Sequence, residues 1–245
     1  MRRKMTAVKM LLLALAMTAS AGVLGGCSAI NNLGTLTFDL PAKSFSFDTA
    51  SSGWKAPPST FPSVTCGTSG QQVADCCHPP APAPTPDCAG TTPLVCEGAV
   101  CVLEFPVSVS QTIDLKMEVP ALSNLSGQTL AQIGISQITY MIVSTLNVEL
   151  PPLEVYVADQ GVTASKDASA KKFGTIPATP AGATRSGNMV LDPNGQAAFS
   201  RYASSFSTPF TILAQTTMIV PPGSPVPAGK VDVTVGGKVT AKPNL

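Results

Sequence analysis

The chain is 245 residues long, 44% hydrophobic and only 12% charged, with a formal net charge of +1. Its fifteen basic and fourteen acidic side chains nearly cancel, which argues against a nucleic-acid partner, since that requires a concentrated positive footprint. The length suits one large all-β domain, or such a domain carrying an insertion.

Arg2, Arg3, Lys4 and Lys9 open the chain, an apolar core runs from Met10 to Met17, and small residues lead to Gly26. Charge, apolar core and small residues in that order make a secretory signal. The core falls well short of the roughly 20 residues a membrane-spanning helix needs. Residues 1–26 are therefore expected to be cut away.

Leu24-Gly25-Gly26-Cys27 resembles the lipobox of bacterial lipoproteins. The resemblance implies diacylglycerol on the Cys27 sulfur, cleavage between Gly26 and Cys27 by the lipoprotein signal peptidase, and acylation of the new amino group. Two or more acyl chains hold a protein stably on a bilayer where one does not. In the family's sorting pattern an Asp after the cysteine retains the protein at the inner membrane, so Ser28 implies the outer membrane. Four of the fifteen basic residues lie in the signal, leaving eleven against fourteen acidic ones in the mature chain. The expected partners are the membrane, through the lipid, and another envelope protein; no nucleic acid and no cofactor are expected.

Residues 27–34 then form the lipidated end and a short tether, of which 28–34 extend to about 24 Å at most. From 35 to 245 the chain reads as an antiparallel β-sandwich of seven or eight strands with one or two short helices. Leu36, Phe38 and Leu40 alternate with polar residues, as do Phe45 and Phe47 after Pro41. These are either two strands or one strand bent at the proline.

Residues 62–101 read as an insertion that interrupts this sandwich, rich in cysteine and proline with few large apolar residues. Of the seven cysteines, six remain after Cys27: Cys66, Cys76, Cys77, Cys88, Cys96 and Cys101. An even number in an exported chain predicts disulfides. Six allow fifteen pairings; Cys96 and Cys101 bracket a hairpin-like tip and are one candidate pair. A metal site using His78 is the rival, but adjacent cysteines fit tetrahedral CxxC spacing poorly. No metal is expected.

The clearest alternation, a period of two with one buried and one wet face, lies at residues 107–119 and again at 137–150, the second ended by Pro151-Pro152. Residues 123–133 read as a short helix or turn and Leu153–Val157 as a strand. Lys166, Lys171 and Lys172 read as a solvated loop. Asp192-Pro193 predicts an N-cap followed by proline at the first helical position, with a helix over 195–204. Phe210–Val220 reads as a strand, 221–229 as a rigid proline loop, and Val231–Val235 as a strand leading to a bulge or turn at Gly236-Gly237. The stretches LNVELPPLEVYV and PAGKVDVTV resemble those of late-embryogenesis-abundant type 2 sandwiches over roughly 105–242, which implies fold alone.

No residues stand out as catalytic. His78 is the single histidine and sits in the cysteine-rich stretch without a GxSxG elbow. Ser169-Ala170-Lys171-Lys172 matches S-x-x-K, but the S-D-N and K-T-G partners are absent. Asp192-Pro193-Asn194-Gly195 briefly resembles a calcium loop and reads better as a helix cap. The expected function is a membrane-anchored, non-enzymatic envelope lipoprotein with a structural or protein-interaction role. The alternative is a binding module for a small apolar ligand or lipid, which requires an apolar pocket of several hundred Å³; a hydrolase comes last.

Overall fold

The computed structural model describes residues 35–50, 60–61, 94–97, 100–119, 122 and 130–243. All of them belong to one folded unit, Gly34–Leu245. In chain order the strands are β1 (Leu36–Asp48), β2 (Leu94–Glu97), β3 (Val100–Ile113), β4 (Leu130–Ser144), β5 (Leu153–Asp159), β6 (Lys171–Ile176), β7 (Thr184–Asn188), β8 (Val190–Leu191), β9 (Phe210–Val220) and β10 (Lys230–Pro243). A one-turn helix, α1 (Leu115–Glu118), follows β3, and α2 (Pro193–Ser204) precedes β9. A four-stranded sheet in the order β1-β10-β4-β7 and a six-stranded sheet in the order β2-β3-β9-β5-β6-β8 are antiparallel throughout. The fold is the expected all-β antiparallel sandwich, with ten strands among the described residues rather than seven or eight.

Alternation builds both layers. Ile138, Tyr140 and Ile142 of β4 are buried against the six-stranded sheet, as are Val231, Val233 and Val239 of β10. The pattern is interrupted where a strand gains a residue. In β1 the register passes from Leu40 opposite Gly237 to Lys43 opposite Val235. The inward set therefore switches from Phe38 and Leu40 to Phe45 and Phe47, and β1 is one bent strand. In β4, Gln137 faces Lys238 while Ile135 faces Val239, so Ser136 bulges out and its hydroxyl donates to the Lys238 carbonyl. Gly236-Gly237 makes no turn, because β10 runs straight through it. A Cβ at Gly237 would lie 2.5 Å from Ile138 Cδ1, so glycine there permits close pairing with β4.

Other expected boundaries move for physical reasons. The alternation over 107–119 ends at Ile113, because the Asp114 side chain accepts from the Met117 N–H and starts α1. Leu115 is buried while Met117 is 80% exposed. The expected strand over 137–150 stops at Ser144; Leu146 and Leu150 remain buried on irregular chain, Leu150 bridging Thr179. The end of the segment expected as a helix or turn over 123–133 is instead the start of β4. Lys171 and Lys172 belong to β6 rather than to a loop. Leu94–Cys101, assigned by sequence to the insertion, contributes β2 and the first residues of β3.

Two anchors lie at one corner of the sandwich. Phe61 is fully buried; its N–H donates to the Ser224 carbonyl and its carbonyl accepts from the Gly223 N–H. Leu94 pairs with Leu103, which pairs with Val220 immediately before that loop. Two ladder spacings put Leu94 about 10 Å from Val220, and Gly223 and Ser224, which hold Phe61, follow a few residues later, so the chain leaves the described sandwich and returns to it at the same end of β9.

The cap predicted for α2 is present: the Asp192 side chain accepts from the N–H groups of Asn194 and Gly195, with Pro193 at the first position. Gly195, Phe199, Tyr202 and Ala203 are its buried residues, the i, i+4, i+7, i+8 stripe of a helix on a core. It packs on β6 of one sheet and β4 of the other, bridging the two layers.

Candidate functional site

A group of three ionisable side chains lies on the outer face of the six-stranded sheet. Glu154 and Tyr156 are two apart on β5 and so share a face, and Lys172 of β6 stands opposite Tyr156. The Lys172 ammonium donates to Glu154 Oε1 at 2.6 Å, and the Tyr156 hydroxyl donates to Glu154 Oε2 at 2.7 Å. Both carboxylate oxygens are thus occupied. The Lys172 bond, followed by the Tyr156 bond, holds the Glu154 carboxyl below its ordinary range. Burial first and the adjacent carboxylate second push the Tyr156 phenol up to about 12.

The chemistry available to this group is that of a surface clasp. Its carboxylate stays ionised and its phenol stays protonated, so neither exchanges protons near neutral pH. The S-x-x-K match also resolves here. The Ser169 hydroxyl donates to Asp167 at 2.7 Å and accepts from the Asp159 N–H, while Lys172 is committed to Glu154. The two residues do not meet as nucleophile and base.

The depressed carboxyl contributes stability above its unfolded range, lost as pH falls through the lowered folded value. The raised phenol contributes below about pH 10 and loses it as pH rises through about 12. Glu154 is 39% exposed in the pair, so solvent screening limits its contribution to about 0.2–1 kcal/mol. Tyrosinate absorbance should show a late step near 12 that loses one tyrosine's amplitude in Tyr156→Phe. In Glu154→Gln that step should move only part of the way back, because burial is the larger cause. A wild-type titration with every tyrosine near 10 would contradict the clasp.

A second group fixes α2 to β5. The Tyr202 hydroxyl donates to Asp159 Oδ1 at 2.6 Å and accepts from Arg201 at 3.2 Å, and the guanidinium carbon sits 4.9 Å from the Tyr202 ring centre. Burial, then the Asp159 bond, raises the Tyr202 pKa. Among the described residues, no three His, Cys, Asp or Glu side chains gather as metal ligands.

Among the described residues, two small voids lie between the sheets. Between the sheets, Phe45, Ile138, Phe173, Phe199 and Phe210 border a void of about 30 Å³, and Phe45, Val107 and Leu153 border another of about 20 Å³. Pockets for small molecules span about 300–1,000 Å³. The roomier hollows, about 450 Å³ beside Thr35, Ile133 and Lys242 and about 270 Å³ along Val148, Ile219, Pro221 and Pro225, lie at the surface.

Of the residues singled out by sequence, Leu24, Gly25, Gly26, Cys27, Ser28, Cys66, Cys76, Cys77, Cys88 and His78 lie outside the described residues. Cys96 and Cys101 stand opposite each other in the β2–β3 ladder; each is held in a disulfide. The Glu154–Tyr156–Lys172 clasp was not anticipated. Its one sequence signal is the i, i+2 spacing of Glu154 and Tyr156; the third member arrives through strand pairing.

No protein-family model matches the chain, and no curated protein matches it. Among solved structures, the decameric BFDV capsid protein is similar over 85% of this chain and 99% of its own, at 9% identity and a TM-score of 0.36. Turnip yellow mosaic virus is similar over 62% of this chain and 87% of its own, at 13% identity and a TM-score of 0.23. Among the described residues, no helix is long and apolar enough to cross a membrane.

Proposed function

We propose that this protein is a lipid-anchored lipoprotein of the bacterial envelope, held through Cys27 at the outer membrane, whose sandwich serves as a non-catalytic structural or protein-interaction module. The observation that carries the reading is the Leu24-Gly25-Gly26-Cys27 box directly after a charged and then apolar leader. The remaining six cysteines are read as disulfides of an exported chain. Two properties of the sandwich support a non-catalytic role. Both carboxylate oxygens of its Glu154 cluster are occupied internally, and among the described residues the two voids between its sheets are far smaller than a ligand. The second property also counts against a carrier of small apolar molecules.

Metabolic labelling with a tagged fatty acid tests the anchor. The wild-type chain should carry the label and fractionate with membranes. Cys27→Ser should be unlabelled and appear as an uncut precursor or a soluble product. Equal label on both would overturn the reading.

A further inference from the structure

Among the described residues, β3 has an edge that is only partly covered. β9 pairs with it from Leu103 to Ile113, whereas β2 reaches only from Val100 to Leu103. Beyond Pro106 no described strand lies on its outer side. Proline has no N–H to give a ladder, so Pro106 turns its backbone away from β9. By the alternation of an antiparallel strand, Ser108, Ser110 and Thr112 present their N–H and C=O groups to the same open side.

Open edges recruit further strands unless something blunts them. β1 carries Asp39, Pro41, Lys43 and a bulge, and β2, β7 and β8 are short. The first half of β4 bulges at Ser136 and has α2 against it, with the Ser200 hydroxyl on the Ile133 carbonyl. From Val107 to Ile113, β3 has no charge, no proline and no bulge in its pairing with β9. A second observation falls on the same seven residues: Gln111 Oε1 is buried and has no hydrogen-bond partner.

We propose that two copies of this chain associate about a two-fold axis at Ser110, their β3 strands pairing antiparallel to join the two six-stranded sheets. The sequence fits its own reverse in this register. Val107 faces Ile113, Ser108 faces Thr112, and Val109 faces Gln111. Core-facing residues therefore meet core-facing residues, and exposed ones meet exposed ones. The open N–H and C=O groups of Ser108, Ser110 and Thr112 are exchanged between copies. The two Gln111 side chains become diagonal neighbours across the axis, about 7–8 Å apart at the backbone and within reach of long side chains. Each amide nitrogen then donates to the other copy's orphaned Oε1. Past the strand ends, Glu104 of one copy runs toward Lys116 of the other, while Asp114 there is engaged with the Met117 N–H.

Sedimentation of the lipidated protein in density-matched detergent, together with amide hydrogen exchange, tests this. The wild type should sediment as a dimer at micromolar concentration. The Ser110 and Thr112 amides should be protected in the dimer and lose protection on dilution. Ser110→Pro should give a monomer that melts like the diluted wild-type monomer, since among the described residues no strand pairs with that edge at Ser110. Should the proline variant fail to fold, Ser110→Lys sets two like charges at the axis and should weaken association severalfold. A wild type that stays monomeric overturns the proposal. So does a dimer indifferent to the variant that folds, or protection of these amides in the monomer.

Discussion

Replacing Phe199 by alanine is expected to cost about 3–5 kcal/mol of folding stability. The ring is 1% exposed, stacks on Phe173 at 5.4 Å between centroids and meets Phe210 edge-on at 5.8 Å. Truncation removes its transfer energy and both ring contacts. It also leaves a hole that merges with the existing void of about 30 Å³. The walls of that hole are strands of two sheets held by their own ladders, so collapse is limited and the cost belongs toward the upper end. Urea unfolding of wild type and variant, followed by circular dichroism, measures the difference. Phe199→Leu should lose distinctly less. A loss under about 1 kcal/mol would mean that α2 is not seated on the core as described, since truncating even a buried leucine to alanine costs about 2–5 kcal/mol.

Gly195→Ala is the second large effect, and its sign is decided by a competition. Alanine is favoured over glycine in a helix by about 1 kcal/mol. Here, however, the new Cβ would lie 2.0 Å from the Lys172 carbonyl oxygen and 2.3 Å from the Phe173 Cα. Both belong to the backbone of β6 and cannot swing aside as a side-chain tip can. Forced overpacking costs typically 1–3 kcal/mol and occasionally more. At so short a distance the start of α2 must lift from the sheet, pulling Phe199 with it, so a net loss of about 2 kcal/mol or more is expected. Gly161→Ala is the control. Its φ is +83° and nothing lies within 4 Å of the new Cβ, so only the conformational term, about 1–2 kcal/mol, applies. Thermal melts of the two variants should rank Gly195→Ala as the less stable.

Both sites sit on α2, the element most plainly written in the sequence. Asp192, Pro193 and the Phe199/Tyr202 face locate it within two residues. The strands were legible wherever alternation ran unbroken, as in the body of β5 and the middle of β3. They were misread where one extra residue reverses which parity points inward. Ser136 does this in β4, so Ile133 and Ile135 fall out of phase with Ile138 and Tyr140. In β6 the register skips Phe173, and Gly174 lies next to it, which hides a strand in what reads as a lysine-bearing loop. At 114–118 a period of two and a single helical turn bury the same Leu115, and the Asp114 cap decides between them. The clasp was illegible because its members meet through strand pairing, which no local period encodes.

The corner where the chain departs at Phe61 and rejoins at Leu94 has a consequence for how this protein can change over time. Both flanks are fixed to the sandwich by their own backbone bonds, on the 223–224 turn and on β3. Whatever spans residues 62–93 therefore bridges a gap that stays constant however many residues fill it, and lengthening it costs only about 0.6 kcal/mol per doubling. Selection can lengthen, shorten or rewrite that stretch almost without taxing the scaffold, which makes it the natural place for the molecule to acquire novelty.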